Sequence, residues 1–359
     1  MHEPTYLLYI LSQSVSSIKP ALISKVYRWY EATQGKDARI HQFLDYLHLS
    51  KDQYNKFMSL AQSVSHEVFF NTLHEHHNQA VTLLDENYPH ALKQLPDPPL
   101  VLYYQGDLAI LRQHCIAMVG SRHNTRYGVH AVEKILSGLR GYQFTIISGL
   151  AFGIDSASHT EALRHTLATV AVLGSGISEQ TIYPKSNVRL VKDIINSDGL
   201  IISEYPPLTS AMKHQFIARN RIIAGLSDVT IIVEAATKSG SLITADFALE
   251  YNRGVYAVPG SIFSDNSSGC HDLLSQGANI LRSSTDILHA FNLEPTRTDL
   301  VQFTDLQMRV IECIQIEPCT LETIAQHTDI PVSELISIIS ELELAQKIKL
   351  MPDQTYLLF

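Results

Sequence analysis

Between residues 115 and 262 the chain repeats one pattern: a short apolar run, a glycine, then a helix-forming stretch. CIAMVG, FTIISG and TVAVLG end at Gly120, Gly149 and Gly174, and stretches such as YGVHAVEKILSGL and DSASHTEALRH follow the first two. Alternation of this kind predicts β-α units folded into an α/β, Rossmann-like, doubly wound and mostly parallel sheet. The glycines then fall along the carboxyl edge of that sheet, where such folds bind ligands.

Phe216 to Leu249 is the richest stretch for chemistry: FIARNRIIAGLS, then the strand-like DVTIIVEAA, then TKSGSLITADFAL. Arg219, Asn220 and Arg221 form a basic polar cluster ahead of the strand. Lys238, Ser239, Gly240, Ser241 and Thr244 follow it, at the opening of a helix whose first N–H groups are unpaired and open to an anion. VGSRHNTRYG adds Gly120, Ser121 and Arg122, and SGLAFGIDSASH adds Gly149, Phe152 and Gly153. An ordinary strand-to-helix turn would account for a lone glycine at either place. Guanidinium groups beside unpaired N–H groups favour phosphate instead.

Other chemistries find less support. The G-x-G-x-x-G dinucleotide spacing and the G-x-x-x-x-G-K-[ST] loop are both missing from the sequence, which argues against NAD and Walker-type ATP sites. Asp155, Glu204 and Glu234 sit at strand or loop ends, where orienting an arginine or capping a helix is the expected role. The HEHHN run at residues 74–78 lacks metal-spaced partners, and the four cysteines form no CxxC pair. No cofactor, metal or catalytic residue is expected.

The net charge of -9 is uneven: residues 118–260 carry 13 Lys/Arg against 11 Asp/Glu, and residues 293–359 carry 4 against 11. Only the middle suits a polyanion. No run approaches the length of a membrane span, and the N-terminus lacks the basic region of a signal peptide, so the expectation is a cytoplasmic protein without membrane contact. Residues 1–75 read as a small helical domain and 76–114, with LPDPP, as a linker and lead-in. The core is expected over 115–292, a second linker over 293–304, and a winged-helix-like domain over 305–359.

GSRHNTRYG, ISGLAFGIDSASHTEAL, VLGSGISEQTIYP, ISEYPP, FIARNRIIAGLSD, VEAATKSGSLITADFAL and AVPGS, in this order, resemble the DprA or Smf family of DNA-processing proteins. That resemblance implies a SAM-like N-terminal domain, a Rossmann-like core that dimerises, and a winged-helix tail. It also implies a non-enzymatic role: binding and protecting single-stranded DNA and loading RecA onto it in natural transformation. The pattern departs at Ala218 and Phe152, where the family usually has arginines, which implies either fewer ionic contacts with DNA or stacking of Phe152 on a base. The hairpin SVSSIKPALIS also lacks the glycine turn of a DNA-gripping helix-hairpin-helix.

Two further expectations follow. The fold is also similar to that of the phosphoribohydrolases called LOG, which makes nucleotide hydrolysis the alternative. Their glutamate is missing from TKSGSLITADF, where Asp246 is the nearest acid. In the tail, the second helix of the winged-helix pair bears Glu334, Glu341 and Glu343 against Lys347, which predicts repulsion from DNA and, for residues 305–359, either contact with protein or a structural role alone.

Overall fold

The computed structural model describes residues 3–14, 20–33, 40–75, 78–294, 303–345 and 347–358. The hairpin at residues 14–24, the histidine run and the linker 293–304 lie partly outside these. Two compact units divide the chain, Met1–Ile287 and Leu288–Phe359.

The first unit opens with helices α1 (Glu3–Ser14), α2 (Pro20–Thr33), α3 (Ile40–Leu47), α4 (Lys51–Ser63) and α5 (His66–Glu75). Their apolar faces do not close on themselves. Leu7 and Trp29 belong to the same continuous core as Tyr103 and Ile201 of the sheet, so the expected boundary at residue 75 is no break in packing. The stretch expected as a linker also folds. It supplies β1 (Gln79–Thr82), α6 (His90–Lys93) and β2 (Val101–Gln105), with β1 and β2 antiparallel. The prolines of LPDPP lie between these elements, where they break helix without preventing strands on either side.

The α/β pattern follows: β3 (His114–Val119), α7 (Arg126–Ser137), β4 (Phe144–Ser148), α8 (Ile154–Arg164), β5 (Ala168–Leu173), α9 (Val188–Asn196), β6 (Leu200–Ser203), α10 (Lys213–Leu226), β7 (Val229–Ile232), α11 (Gly240–Glu250), β8 (Gly254–Ala257), α12 (Asp265–Ser275), β9 (Asn279–Ile280) and α13 (Ser284–Ala290). The sheet order is β1-β2-β6-β5-β4-β3-β7-β8-β9. From β6 to β9 every pair is parallel, and β2 joins β6 antiparallel. Every residue of β4 and β7 is buried, which is why these strands read as continuous apolar runs.

Strand order reverses between β3 and β7, which pair in register from Ile116↔Val229 to Val119↔Ile232. Chain segments leave in opposite directions there, opening the crevice in which doubly wound sheets place ligands. The loops at the carboxyl ends of β3, β4, β5, β7 and β8 form that rim.

The second unit holds α14 (Asp305–Ile316), β10 (Cys319–Thr320), α15 (Leu321–Thr328), α16 (Val332–Leu344), β11 (Ile348–Leu350) and β12 (Thr355–Leu358), with strand order β10-β12-β11. Thr304 and Gln307 close a reciprocal capping box at the start of α14. Val310, Ile324, Leu335, Ile339 and Ile348 fill a small separate core. Three helices and a hairpin give the expected winged-helix arrangement.

Candidate nucleic-acid interface

Glycine is required at position 153. Its φ of 79° favours a residue without a side chain, and a Cβ there would come within 2.2 Å of the Ser121 carbonyl oxygen. The turn from Gly149 to Gly153 is thereby pressed against the β3 loop. Asn187 secures it from outside by donating from Nδ2 to the Leu150 carbonyl and to Ser156 Oγ, both at 2.8 Å.

The backbone donors expected to receive phosphate at this turn are already engaged. Asp155, buried at the start of α8, accepts through Oδ2 from the amides of Gly149 at 3.1 Å and Ala151 at 3.4 Å. Gly120 also donates its amide to this carboxyl. The Ser121 amide donates to the Glu234 carbonyl at 2.7 Å. Gly120, Ser121 and Gly149 therefore shape the rim without offering free N–H groups, because the Asp155 carboxylate and, for Ser121, the Glu234 carbonyl fill the nest that the spacing suggested for a phosphate. Burial pushes the Asp155 carboxyl up, and Arg219 opposes that rise.

All three expected α10 ligands are similarly engaged. Arg219 is 3% exposed; its Nη1 donates to the Gly149 carbonyl at 2.6 Å and to the Val172 carbonyl. Burial lowers its pKa to about 10. Arg221 grips Glu204 through Nη2 at 2.6 and 2.7 Å and meets Asp97 through Nε at 3.2 Å. Burial works against that charge, and the two carboxylates outweigh it and raise its pKa. Neither guanidinium faces solvent: one braces the ends of β4 and β5, and the other neutralises the partly exposed Glu204 and Asp97. Asn220 ties α10 to α11 by donating to the Gly240 carbonyl at 3.2 Å.

What faces solvent is a different set. Arg122 is exposed, forms no ion pair among the described residues, and holds its guanidinium 5.7 Å from the centre of the Phe216 ring. Phe216 in turn lies 5.6 Å from Tyr183, which is half exposed, and Phe152 is also half exposed. Arg122, Phe216 and Tyr183 thus make a cation-aromatic cluster on the β3 and β5 side of the rim. Lys213, exposed at the first position of α10, stands one turn before Phe216. Phe216, Tyr183 and Lys213 were missed by a reading that weighed cations and glycines. The signal available was Phe216 itself, three residues before the basic cluster.

On the β7 side, Ser239 caps α11, its Oγ accepting from the Ser241 amide at 3.4 Å. A Cβ at Gly240 would meet nothing within 4 Å, so protein packing does not demand a glycine there. Lys238 is exposed and lines an open cavity of about 370 Å³ with Thr237, Asp246 and Asp272. Thr244, expected at the site, is buried one turn into the helix. Glu234 accepts from the Thr125 amide at 2.9 Å and from its hydroxyl at 2.5 Å, fixing the residue that caps α7. His159, under the rim, bonds Thr169 through Nδ1 at 2.8 Å, and burial lowers its pKa to about 3.

A family model described as DNA recombination-mediator protein A matches residues 79–292, and a DprA winged helix domain model matches 294–354. The DNA processing protein DprA of Streptococcus pneumoniae is 45% identical over 210 residues, 58% of this chain and 73% of that protein. Protein Smf of Escherichia coli is 32% identical over 360 residues, 96% of this chain and 94% of its own. The X-ray structure of the S. pneumoniae protein aligns with a TM-score of 0.69 at 36% identity, covering 78% of this chain and 95% of that one. A Helicobacter pylori DNA processing protein A structure, described for its single-stranded DNA binding mode, aligns with a TM-score of 0.54 at 30% identity, covering 60% and 95%.

Proposed function

Since the chain belongs to the DNA recombination-mediator protein A family, that of DprA and Smf, we propose that it binds single-stranded DNA along the carboxyl rim of its sheet and acts without a catalytic step. The observation that carries this reading is the exposed Arg122 lying over Phe216, with Lys213 one turn away. A cation beside an aromatic face suits a flexible strand, whose phosphate and unstacked base can reach both at once. A duplex keeps its base faces stacked inside and offers backbone and groove edges only. Lys238 and the open start of α11 supply a second phosphate position, and Phe152 a further stacking surface.

The bound strand is protected and passed to RecA during natural transformation, in the cytoplasm, by a homodimer. Supporting the dimer, β9 ends the sheet as an edge strand, and Ile280 on it is 45% exposed. Exposed edges and apolar side chains of this kind are usually covered. The winged-helix unit contacts protein and not DNA, because the outer face of α16 presents Glu334, Glu341 and Glu343.

Fluorescence anisotropy with a labelled dT20 strand and a 20-base-pair duplex, across salt, tests this. The single strand should bind more tightly, and Phe216→Ala and Arg122→Ala should each weaken it about ten-fold. Equal affinity for strand and duplex would overturn the reading.

A further inference from the structure

A second cavity opens on the β7 and β8 side of the switch point, with a volume of about 510 Å³, lined by Thr125, Tyr127, Glu234, Pro259, Ser261 and Ser264. None of these residues belongs to the Arg122 and Phe216 cluster. We propose that this cavity is a separate subsite for an unpaired nucleobase of the same strand, with Tyr127 as its stacking wall; the proposal rests on the single-strand reading above.

Four observations point to a base as the occupant. The volume exceeds what a purine needs, so a base fits with bridging water. Tyr127 is 49% exposed, and its hydroxyl donates to the Pro259 carbonyl at 2.5 Å, so the ring is held at the mouth as a fixed platform. The lining contains no cation: Ser261 and Ser264 bring hydroxyls that donate or accept, and Glu234 brings a carboxylate. That carboxylate is 2% exposed and uses one acceptor position on each oxygen for Thr125. Buried as it is, it sets a negative field at the cavity, and the serine hydroxyls meet the polar edge of a base. A phosphate would be repelled from the same place, and exposed Arg126, next to Tyr127, stands outside the lining to meet the backbone.

Topology gives the subsite a role. Arg122 and Phe216 lie on one side of the β3–β7 crevice and Tyr127 on the other, so a strand engaging both crosses the switch point. Two base positions on one protomer would hold the strand in a defined direction along the rim.

The test uses the full chain with two probes, dT20 and a 20-residue abasic deoxyribose-phosphate chain. Wild type should prefer dT20. Tyr127→Ala, and Ser264→Phe, which fills the cavity, should each weaken dT20 binding about ten-fold while leaving the abasic chain unchanged, and Tyr127→Phe, which keeps the ring but loses its tether to Pro259, should fall between wild type and Tyr127→Ala. Thermal unfolding of each variant checks that the fold is kept. Variants that bind dT20 as wild type does, or that lose both probes equally, overturn the subsite. Wild type that binds neither probe overturns the single-strand reading and the subsite with it.

Discussion

Arg122 and Arg221 are one residue type in one half of the molecule, yet they occupy opposite electrostatic situations. Arg122 stands on the rim over an aromatic ring, exposed and without an ion pair among the described residues. Arg221, in the helix beneath, is 9% exposed and clasped by Glu204 and Asp97. The difference teaches that cations in a sequence are not cations available to a polyanion. The loops of the rim carry usable charge, while α10 directs its two arginines inward to hold the rim's shape.

The comparison breaks most visibly in stability. Arg221→Ala leaves the partly buried Glu204 without its partner and should cost about 2 kcal/mol, less than breaking a fully buried pair, since the Glu204 and Asp97 side chains are 18% and 41% exposed. Urea unfolding measures it. A loss under about 0.5 kcal/mol would place Arg221 with the surface cations.

Beneath the rim, His159 should make stability depend on pH. Its folded pKa of about 3 lies below the ordinary 6.5, so the neutral form is favoured in the fold. Stability from this group is present above 6.5 and is lost as pH falls towards 3, with a limiting slope of about 1.4 kcal/mol per pH unit. Asp155 works in the opposite sense: its raised folded pKa means that stability falls as pH rises through the range above 3.8. Unfolding curves for wild type and His159→Gln from pH 7 to 4 separate the two, and an unchanged acid slope in the variant would refute the assignment.

On the exposed side, Arg122→Ala should leave stability within about 0.5 kcal/mol of wild type and lower single-strand affinity about ten-fold. The smallest effect is expected at Gly240. A Cβ there meets open space, so Gly240→Ala should leave the unfolding midpoint unchanged and weaken single-strand binding a few-fold, by crowding a phosphate at the start of α11. Unchanged binding would remove that phosphate position.

The doubly wound sheet was legible because its central strands are buried on both faces and announce themselves as apolar runs. β1 and β2 were not: they are short, they flank a proline-rich stretch, and their place in the sheet depends on β6, about a hundred residues away. The rim was legible as a place and not as a set of partners. Gly120, Gly149 and Gly153 do mark it, but Asp155 follows Gly153 by only two residues, and nothing in local spacing tells that its carboxylate folds back onto the amides of Gly120, Gly149 and Ala151 instead of facing solvent. Arg219 and Arg221 misled for the same reason. Their acceptors, the Gly149 and Val172 carbonyls, Glu204 and Asp97, are distant in sequence and meet them only in the fold. Tyr183 became visible as Phe216's neighbour only once the β5 loop was placed.

On the proposed reading, exposed cations, and not the two buried arginines of α10, neutralise phosphate. The most direct test is the salt dependence of dT20 affinity for wild type, Arg122→Ala, Lys238→Ala and Arg219→Lys. Each lost phosphate contact should reduce the slope of log K against log salt by about 0.7 in the first two variants, and Arg219→Lys should keep the wild-type slope even if its affinity falls. Wild-type slopes in both alanine variants would contradict the account.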